Sequence, residues 1–279
     1  MSVSVLHRIE RAHAAATARY GPLVTLPTAV ELFTAAYGPP DPWQVDVLTS
    51  DAKRQLLLCA RQVGKSTVTG ALAAHRALAQ PGSLVLLVSP SLRQSSELFR
   101  KVSALLRQVE PAPTLVEDNR LSLQLSNGSR VVSLPGAEGT IRGFSAPSLI
   151  VEDEAARVDD EVADAVRPML SVSGGTLILL STPWGRRGHF YTAWEHGDGW
   201  ERTKVTAAEC GRISPEFLAA EQASLSHLTY QSEYAVEFVD TETQLFCSLD
   251  IKRALDPTVT PLFGAAPTPT LEDHRVVVA

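Results

Sequence analysis

The chain has 279 residues and a formal net charge of −6, with 44% hydrophobic and 20% charged residues. This composition excludes a disordered or fibrous chain, and the acidic balance excludes a generally basic nucleic-acid-binding protein, so any contact with DNA or RNA must be local. The three cysteines, Cys59, Cys210 and Cys247, fit no zinc-binding spacing and indicate a reducing compartment such as the cytoplasm. No apolar run approaches the ~18 residues that a membrane-spanning helix needs.

Residues 1–40 are expected to form an N-terminal helical segment, which ends at the proline-rich boundary Gly38–Pro42. Beyond it, short apolar runs alternate with stretches of helical periodicity up to about residue 208. Buried strands are predicted at 56–58, 84–88, 149–151 and 176–180, and helices at 66–79 and 92–109. Continuous apolar strands separated by helices predict an α/β core, with a parallel sheet covered on both faces by helices.

Two further signals mark the rest of the chain. Asn127-Gly128 lies between two alternating segments in 121–134 and predicts a β-hairpin. Ser214-Pro215 is typical of a helix start, and a helical pattern follows to about Phe238, so residues 209–248 are expected to form a small helical appendage. Residues 249–279 are expected to be a linker tail.

A phosphate-binding loop follows the first predicted strand. Strand, Gly-Lys-Ser loop and helix are the parts that a P-loop requires. Lys65 would reach the β and γ phosphates of a nucleotide, Ser66 would hold Mg²⁺, and backbone N–H groups at the helix N-terminus would bind the phosphates. Cys59 stands where the general pattern has its first glycine. The alternative is a plain lysine at a helix N-terminus, which the helix dipole disfavours. The loop residues predicted to contact the nucleotide are Arg61, Gln62, Val63, Gly64, Lys65, Ser66 and Thr67.

The third predicted strand ends in three carboxylates, Glu152-Asp153-Glu154. At a strand end beside a P-loop, Asp153 would lie near the metal ion, and Glu154 would orient and deprotonate the attacking water. An acidic run is otherwise most often a solvated face. Glu152 is expected to be an ordinary strand-end carboxylate or a group that supports the other two.

Several motifs in a fixed order resemble those of the large terminase subunits of phages, the motors that package viral DNA. The loop Arg61–Ser66 looks like their deviant Walker A motif, which commonly lacks the first glycine, and Asp153–Ala156 resembles their Walker B motif. Further similar segments are the adenine-recognition motif at Asp41–Gln44, Thr140–Gly143, the coupling motif at Ser181–Gly185, and Tyr230–Tyr234 with Phe238. The resemblance covers about residues 40–250 and implies a P-loop NTPase fold of the RecA-like (ASCE) class.

The resemblance also implies roles outside the loop. Gln44 would read the adenine edge through its amide, which both donates and accepts hydrogen bonds. Trp43 would stack on the base or pack in the core. Ser181 and Thr182 would sense hydrolysis and couple the ATP site to the helical appendage, the alternative being a plain strand-to-loop turn at Pro183.

Two arginines are implied to act on the phosphates. Arg61 would contact the γ phosphate within its own subunit, and Arg142 would enter the ATP site of a neighbouring subunit as an arginine finger. The alternative for each is a surface ion pair. Arg186, Arg187 and His189 would touch phosphates or DNA, or lie in a solvated loop.

The implied function is Mg²⁺-dependent ATP hydrolysis that drives double-stranded viral DNA into a procapsid. The implied partners are DNA, a homo-oligomeric ring, expected to be a pentamer, the portal and the small terminase, with no membrane; the implied location is the host cytoplasm at the procapsid portal. No cluster of metal-binding aspartates occurs in 249–279, so the nuclease domain of complete large terminases is expected to be absent from this chain.

Two other functions share some of these motifs. A helicase-like translocating ATPase would have the same loop and acidic pair, but no second RecA-like half follows in 206–279. An inactive nucleotide-binding scaffold is the second, and the joint presence of Lys65, Asp153 and Glu154 argues against it.

Overall fold

The structure is a computed structural model and describes residues 26–110, 112–135 and 143–239. The strands are β1 Arg54–Cys59, β2 Leu84–Ser89, β3 Leu115–Asp118, β4 Ser122–Leu125, β5 Arg130–Pro135, β6 Leu149–Asp153, β7 Thr176–Ser181 and β8 Glu201–Val205. The helices are α1 Ala29–Tyr37, α2 Pro42–Thr49, α3 Lys65–Ala79, α4 Leu92–Gln108, α5 Asp160–Val166, α6 Leu170–Ser173, α7 Gly188–His196, α8 Pro215–Ser224 and α9 His227–Glu233.

The eight strands form one sheet in the order β3-β4-β5-β2-β6-β7-β1-β8. All pairings from β5 to β8 are parallel, whereas β3, β4 and β5 pair antiparallel. The predicted parallel sheet flanked by helices is therefore confirmed, with an antiparallel edge added. The carboxyl ends of β1, β6 and β7 meet at one edge of the sheet, where open α/β sheets bind their ligands.

The middle of the sheet is the core of the molecule. Every residue of β6 and β7 is buried, and β1 and β2 are buried beyond their first residue. Strands covered on both faces carry continuous apolar runs because neither face meets water. Helix α3 packs against α1 and α4, and α4 packs on β2 and β5.

The predicted hairpin is confirmed, because β4 and β5 pair antiparallel on either side of Asn127-Gly128. Gly128 has φ +84°, a conformation that glycine adopts at little cost, and the Asn127 side chain accepts a hydrogen bond from the Ser129 N–H at 2.9 Å. Strand β8, by contrast, was not predicted. Its first four residues are not buried, as is usual for a charged edge strand, so it lacks the apolar run that marks the central strands.

The helices after residue 209 differ from the expected pattern. Helix α8 begins as predicted, with the Ser214 side chain capping its N-terminus, but the helical pattern is interrupted and ends at Glu233 rather than near Phe238. Beyond it, Val236 has φ +61° and is buried, and the ring of Phe238 packs against Tyr191. The segment leaves the helix because these apolar side chains return to the core. No helix in the described part of the chain is long and apolar enough to cross a membrane.

Candidate active site

The predicted phosphate-binding loop connects β1 to α3, and its backbone is shaped by Gly64. Gly64 has φ +100°, and a Cβ atom at this position would lie 2.7 Å from Nε2 of Gln44. Gln62, two residues earlier, also has a left-handed φ of +60°. The left-handed conformation therefore favours glycine at position 64, and a side chain there would also displace the end of the Gln44 side chain.

The structure brings together the loop and the acidic pair. Nζ of Lys65 lies 3.1 Å from Oε1 of Glu154, and Oγ of Ser66 donates a hydrogen bond to Oδ2 of Asp153 at 3.0 Å. Ser66 and Asp153 are 87 residues apart in the sequence. These four side chains, predicted from the loop and the strand-end carboxylates of the sequence, form one cluster at the carboxyl edge of the sheet.

Asp153 is the buried acid of the cluster. Burial raises its pKa, and the neighbouring Glu154 charge adds to this, while Lys65 and the Ser66 hydroxyl act in the opposite direction. A buried carboxylate of this kind gains from a cation placed against it.

The Ser66 and Asp153 oxygens fit Mg²⁺. Two ligands on adjacent corners of an octahedron at ~2.1 Å from the ion lie about 3 Å apart. The separation of Ser66 Oγ and Asp153 Oδ2 is 3.0 Å. The described residues contain no group of three or more His, Cys, Asp or Glu side chains able to hold a metal. Mg²⁺ that is bound together with nucleotide phosphates and water needs only one or two protein ligands.

Glu154 adopts a conformation that non-glycine residues seldom use. Its φ and ψ are +54° and +41°, and its N–H donates to Oδ1 of Asp153 at 3.0 Å. Strained backbone of this kind persists only where the surroundings hold it and is common at functional sites. Here it turns the chain directly after β6, and the Glu154 side chain meets Lys65.

Strand β7 runs between the strands that carry the two halves of the cluster. Ser181, its last residue, stands opposite Leu58 of β1, and Leu180 stands opposite Asp153 of β6. The hydroxyl oxygens of Ser181 and Thr182 are buried and have no hydrogen-bond partner within the described ranges. Two polar groups at this position are therefore available to a bound ligand or to water.

Gln44 is buried against the loop. Its Oε1 accepts a hydrogen bond from the Asp41 N–H at 2.9 Å and caps α2, which leaves its amide NH₂ facing Gly64. Trp43 is half-buried and packs against the hydrophobic core. The fully buried Cys59 ends β1, and burial raises the pKa of its thiol to about 12, so it is an inert packing residue.

Of the two predicted arginines, Arg61 is held by an ion pair. Arg61 forms a two-pronged ion pair with Glu233 of α9, with its Nη2 donating to Oε1 at 3.0 Å and its Nε to Oε2. The Arg61 side chain remains 59% exposed. Arg142 lies outside the described residues.

Comparison with known proteins adds to this geometry. The family model for the N-terminal part of the terminase large subunit, T4likevirus-type, matches residues 56–253, which is more than half of the chain. The chain belongs to this family.

The large terminase subunit of Thermus phage G20c is 27% identical over 247 aligned positions, which cover 75% of this chain and 50% of that protein. The terminase of Thermus virus P23-45 matches to the same extent. This terminase chain thus spans about half the length of the curated relatives that it matches.

Solved structures show the same fold. The ATPase domain of the Thermus phage P74-26 large terminase has a TM-score of 0.68 and 24% identity, over 77% of this chain and 100% of that one. The large terminase of a second thermophilic bacteriophage, in complex with ADP, has a TM-score of 0.62 and 14% identity, over 72% of this chain and 54% of that one. These likenesses confirm the predicted RecA-like (ASCE) architecture.

Three residues that contact the site of this terminase are not among those predicted from the sequence. Arg212 donates from Nη2 to the Val63 carbonyl and from Nη1 to Oδ1 of Asp41, both at 2.9 Å, and so ties the loop to the start of α2. Arg157 lies close to Glu154, and Glu233 pairs with Arg61. Only Glu233 carried a signal, since it lies in the segment Tyr230–Tyr234 that resembles a terminase motif.

His189 lies in the interior rather than on a solvated loop or on DNA. Its Nε2 is 2.6 Å from Oε1 of Glu152, its Nδ1 is 3.2 Å from Oδ1 of Asp160, and both His189 and Glu152 are buried. Burial lowers the pKa of His189, but the hydrogen bonds and charges of Glu152 and Asp160 outweigh it and raise the pKa overall. Glu152 is thus a buried partner of His189 that ties β6 to α7.

Proposed function

We propose that this chain is a Mg²⁺-dependent ATPase that drives the translocation of double-stranded viral DNA into a procapsid. The observation that carries the proposal is the joint cluster of Lys65, Glu154, Ser66 and Asp153 at the carboxyl edge of the sheet. The large terminase of the second thermophilic bacteriophage, which has the same fold, forms complexes with ADP and with ATP-γ-S, and these support nucleotide binding.

Each side chain of the cluster has a distinct task. Lys65 leaves Glu154 to bind the β and γ phosphates, together with the loop N–H groups from Gln62 to Thr67. Ser66 and Asp153 would hold Mg²⁺, which would supply positive charge against the phosphates. Glu154, once released by Lys65, orients the attacking water and accepts its proton. The unpartnered hydroxyls of Ser181 and Thr182 respond to the loss of the γ phosphate.

Two arginines add further positive charge around the γ phosphate. Arg61, exposed on one side of the loop, leaves Glu233 and binds the γ phosphate in its own subunit. Arg142 acts from the next subunit, which requires a closed head-to-tail ring, proposed to be a pentamer. An arginine finger of this kind is worth ~10³–10⁵ in rate.

The remaining assignments follow from family membership. The proposed partners are double-stranded DNA in the ring pore, the portal and the small terminase, at the procapsid in the host cytoplasm. The proposed ATPase core is residues 41–208 and the proposed lid 209–248. Because the whole chain is acidic, the basic groups that meet DNA must line the pore alone, and binding there is independent of sequence and weakened by salt.

The substitution Glu154→Gln tests the catalytic assignment. We expect it to bind a fluorescent ATP analogue in the presence of Mg²⁺ with an affinity near that of the wild type, and to lose steady-state turnover by at least ~10²-fold. Glu97→Gln, an exposed pair partner of Arg100 on α4, is the matched control and keeps both properties. Full turnover in Glu154→Gln would refute the assignment, and ATP binding without turnover in the wild type would point to the inactive nucleotide-binding scaffold instead.

The ring is tested separately. Turnover per subunit should rise with protein concentration and collapse in Arg142→Ala, and DNA should stimulate it in low salt. A flat specific activity that Arg142→Ala leaves unchanged would mean that each subunit works alone. Strand separation in place of duplex translocation would identify the helicase-like alternative instead.

A further inference from the structure

Arg157 lies where three parts of the site meet. It ends the short 3₁₀ turn Ala155–Arg157 that follows Glu154, and its N–H donates to the Glu154 carbonyl at 2.8 Å. The guanidinium lies 3.9 Å from the ring centroid of Trp184, in the loop after β7. Its Nε is 4.0 Å from Oε2 of Glu154, and its Nη2 is 3.8 Å from Oε1 of Glu233 on α9.

Both carboxylates near Arg157 also have a second cation, and each of those cations comes from the phosphate-binding loop. Glu154 is paired with Lys65 at 3.1 Å, and Glu233 with Arg61. Under the proposed function, on which this inference rests, ATP draws Lys65 and Arg61 to its phosphates. Arg157 is then the described cation that remains within 4.0 Å of both carboxylates.

We propose that Arg157 is a positioning residue, which holds the Glu154 carboxylate for catalysis and links it to Glu233 of α9 once ATP has taken the loop cations. The Trp184 ring restrains the guanidinium because a planar cation is attracted to the face of an indole. At 29% exposure the Arg157 side chain is partly shielded from water, so its interactions are screened less than those of a surface arginine. The same side chain connects the end of β6, the loop after β7 and α9.

The test compares Arg157→Gln and Arg157→Lys with Arg100→Gln, an arginine on α4 that is exposed and pairs with the exposed Glu97. We expect Arg157→Gln to lower kcat on the order of tenfold, with the Kd for a fluorescent ATP analogue within about twofold of the wild type. Arg157→Lys should recover part of this loss, because its ammonium keeps the charge but cannot lie flat on the indole. Arg100→Gln should match the wild type.

A double-substitution cycle with Trp184→Leu separates positioning from damage to the fold. If Trp184 acts by holding Arg157, Trp184→Leu lowers kcat in the wild type but has little further effect in Arg157→Gln. Three outcomes would each overturn the proposal. The losses of kcat in the two single variants could multiply in the double variant, the kcat of Arg157→Gln could equal that of Arg100→Gln, or the loss of kcat could accompany a lowered unfolding midpoint.

A readout that does not depend on turnover tests the link to α9. Hydrogen exchange over residues 227–233 should change when ATP-γ-S and Mg²⁺ bind to the wild type, and this change should be lost in Arg157→Gln. An identical response in both proteins, or none in either, refutes the link. Glu154→Gln distinguishes a failure of the proposed function from a failure of this inference. If Glu154→Gln retains turnover, the proposed function fails. If Glu154→Gln abolishes turnover while Arg157→Gln leaves it unchanged, only the role of Arg157 fails.

Discussion

Replacing Gly64 by alanine should damage both stability and nucleotide binding. The left-handed φ of +100° costs a residue with a side chain ~1–2 kcal/mol. The new Cβ would lie 2.7 Å from Nε2 of Gln44, so the end of this buried side chain must shift. We expect the shift to break the hydrogen bond that its Oε1 accepts from the Asp41 N–H, at a cost of about 1 kcal/mol more. The sum is about 2–3 kcal/mol, or a fall of roughly 4–12 °C in the unfolding midpoint.

The control for this substitution is Gly199→Ala. Gly199 also has a left-handed φ, +72°, but a Cβ there meets nothing within 4 Å, so only the conformational cost of about 1–2 kcal/mol applies. Thermal unfolding measures stability, and titration with a fluorescent ATP analogue measures affinity, which should fall about tenfold or more in Gly64→Ala alone. In the Gly64→Ala background, Gln44→Ala should cost almost nothing further. Equal effects of the two glycine substitutions would refute the contact argument.

Three further outcomes follow. Cys59→Gly, which restores the general P-loop pattern, should destabilise the fold by about 2 kcal/mol in denaturant unfolding without tightening ATP binding, because it empties a fully buried position at a strand end. His189→Gln should be destabilising mainly at low pH. The raised pKa of His189 means that its contribution is complete below its unfolded pKa of about 6.5 and fades as pH rises through the higher folded value, so a gap to the wild type that widens between pH 6 and 9 would contradict the pairing with Glu152 and Asp160. Ser66→Ala should raise the Mg²⁺ concentration needed for half-maximal turnover several-fold, measured by metal titration at saturating ATP, and an unchanged requirement would remove Ser66 from the metal site.

The sequence predicted the parts of the fold that rest on local pattern. The strands β1, β2, β6 and β7 are predictable because strands buried on both faces carry continuous apolar runs, and the hairpin is predictable because Asn127-Gly128 suits its turn. Strand β8 could not be predicted, because a strand exposed at the side of the sheet has no apolar run. The end of the helical pattern at Glu233 could not be predicted, because it depends on the packing of Val236 and Phe238 in the core. The periodicity of the sequence does not record such tertiary contacts.

The residues of the candidate site likewise form two groups, those that the sequence indicates and those that it does not. Lys65, Ser66, Asp153 and Glu154 belong to motifs in which the backbone and the chemistry constrain neighbouring positions, so a sequence alone points to them. The contacts of Arg157 with Trp184 and Glu233 join distant segments, and so do those of Arg212 with Asp41 and Val63. An arginine outside a motif has no local mark in the sequence. The polar sequence around His189 suggests solvent or DNA, while its two carboxylate partners lie 37 and 29 residues away in the chain.

The order of the strands has a consequence for how the chain is made. Both neighbours of β1 in the sheet, β7 and β8, come late in the sequence, so the apolar segment Leu56–Leu58 leaves the ribosome long before anything can pair with it. Native contacts of such long range slow folding, and an unpaired hydrophobic strand favours aggregation in the meantime. The proposed nucleotide pocket is therefore completed late in synthesis, once residues 176–205 are available. Fragments that stop before β7 should be insoluble and unable to bind ATP, even though they contain Lys65, Asp153 and Glu154.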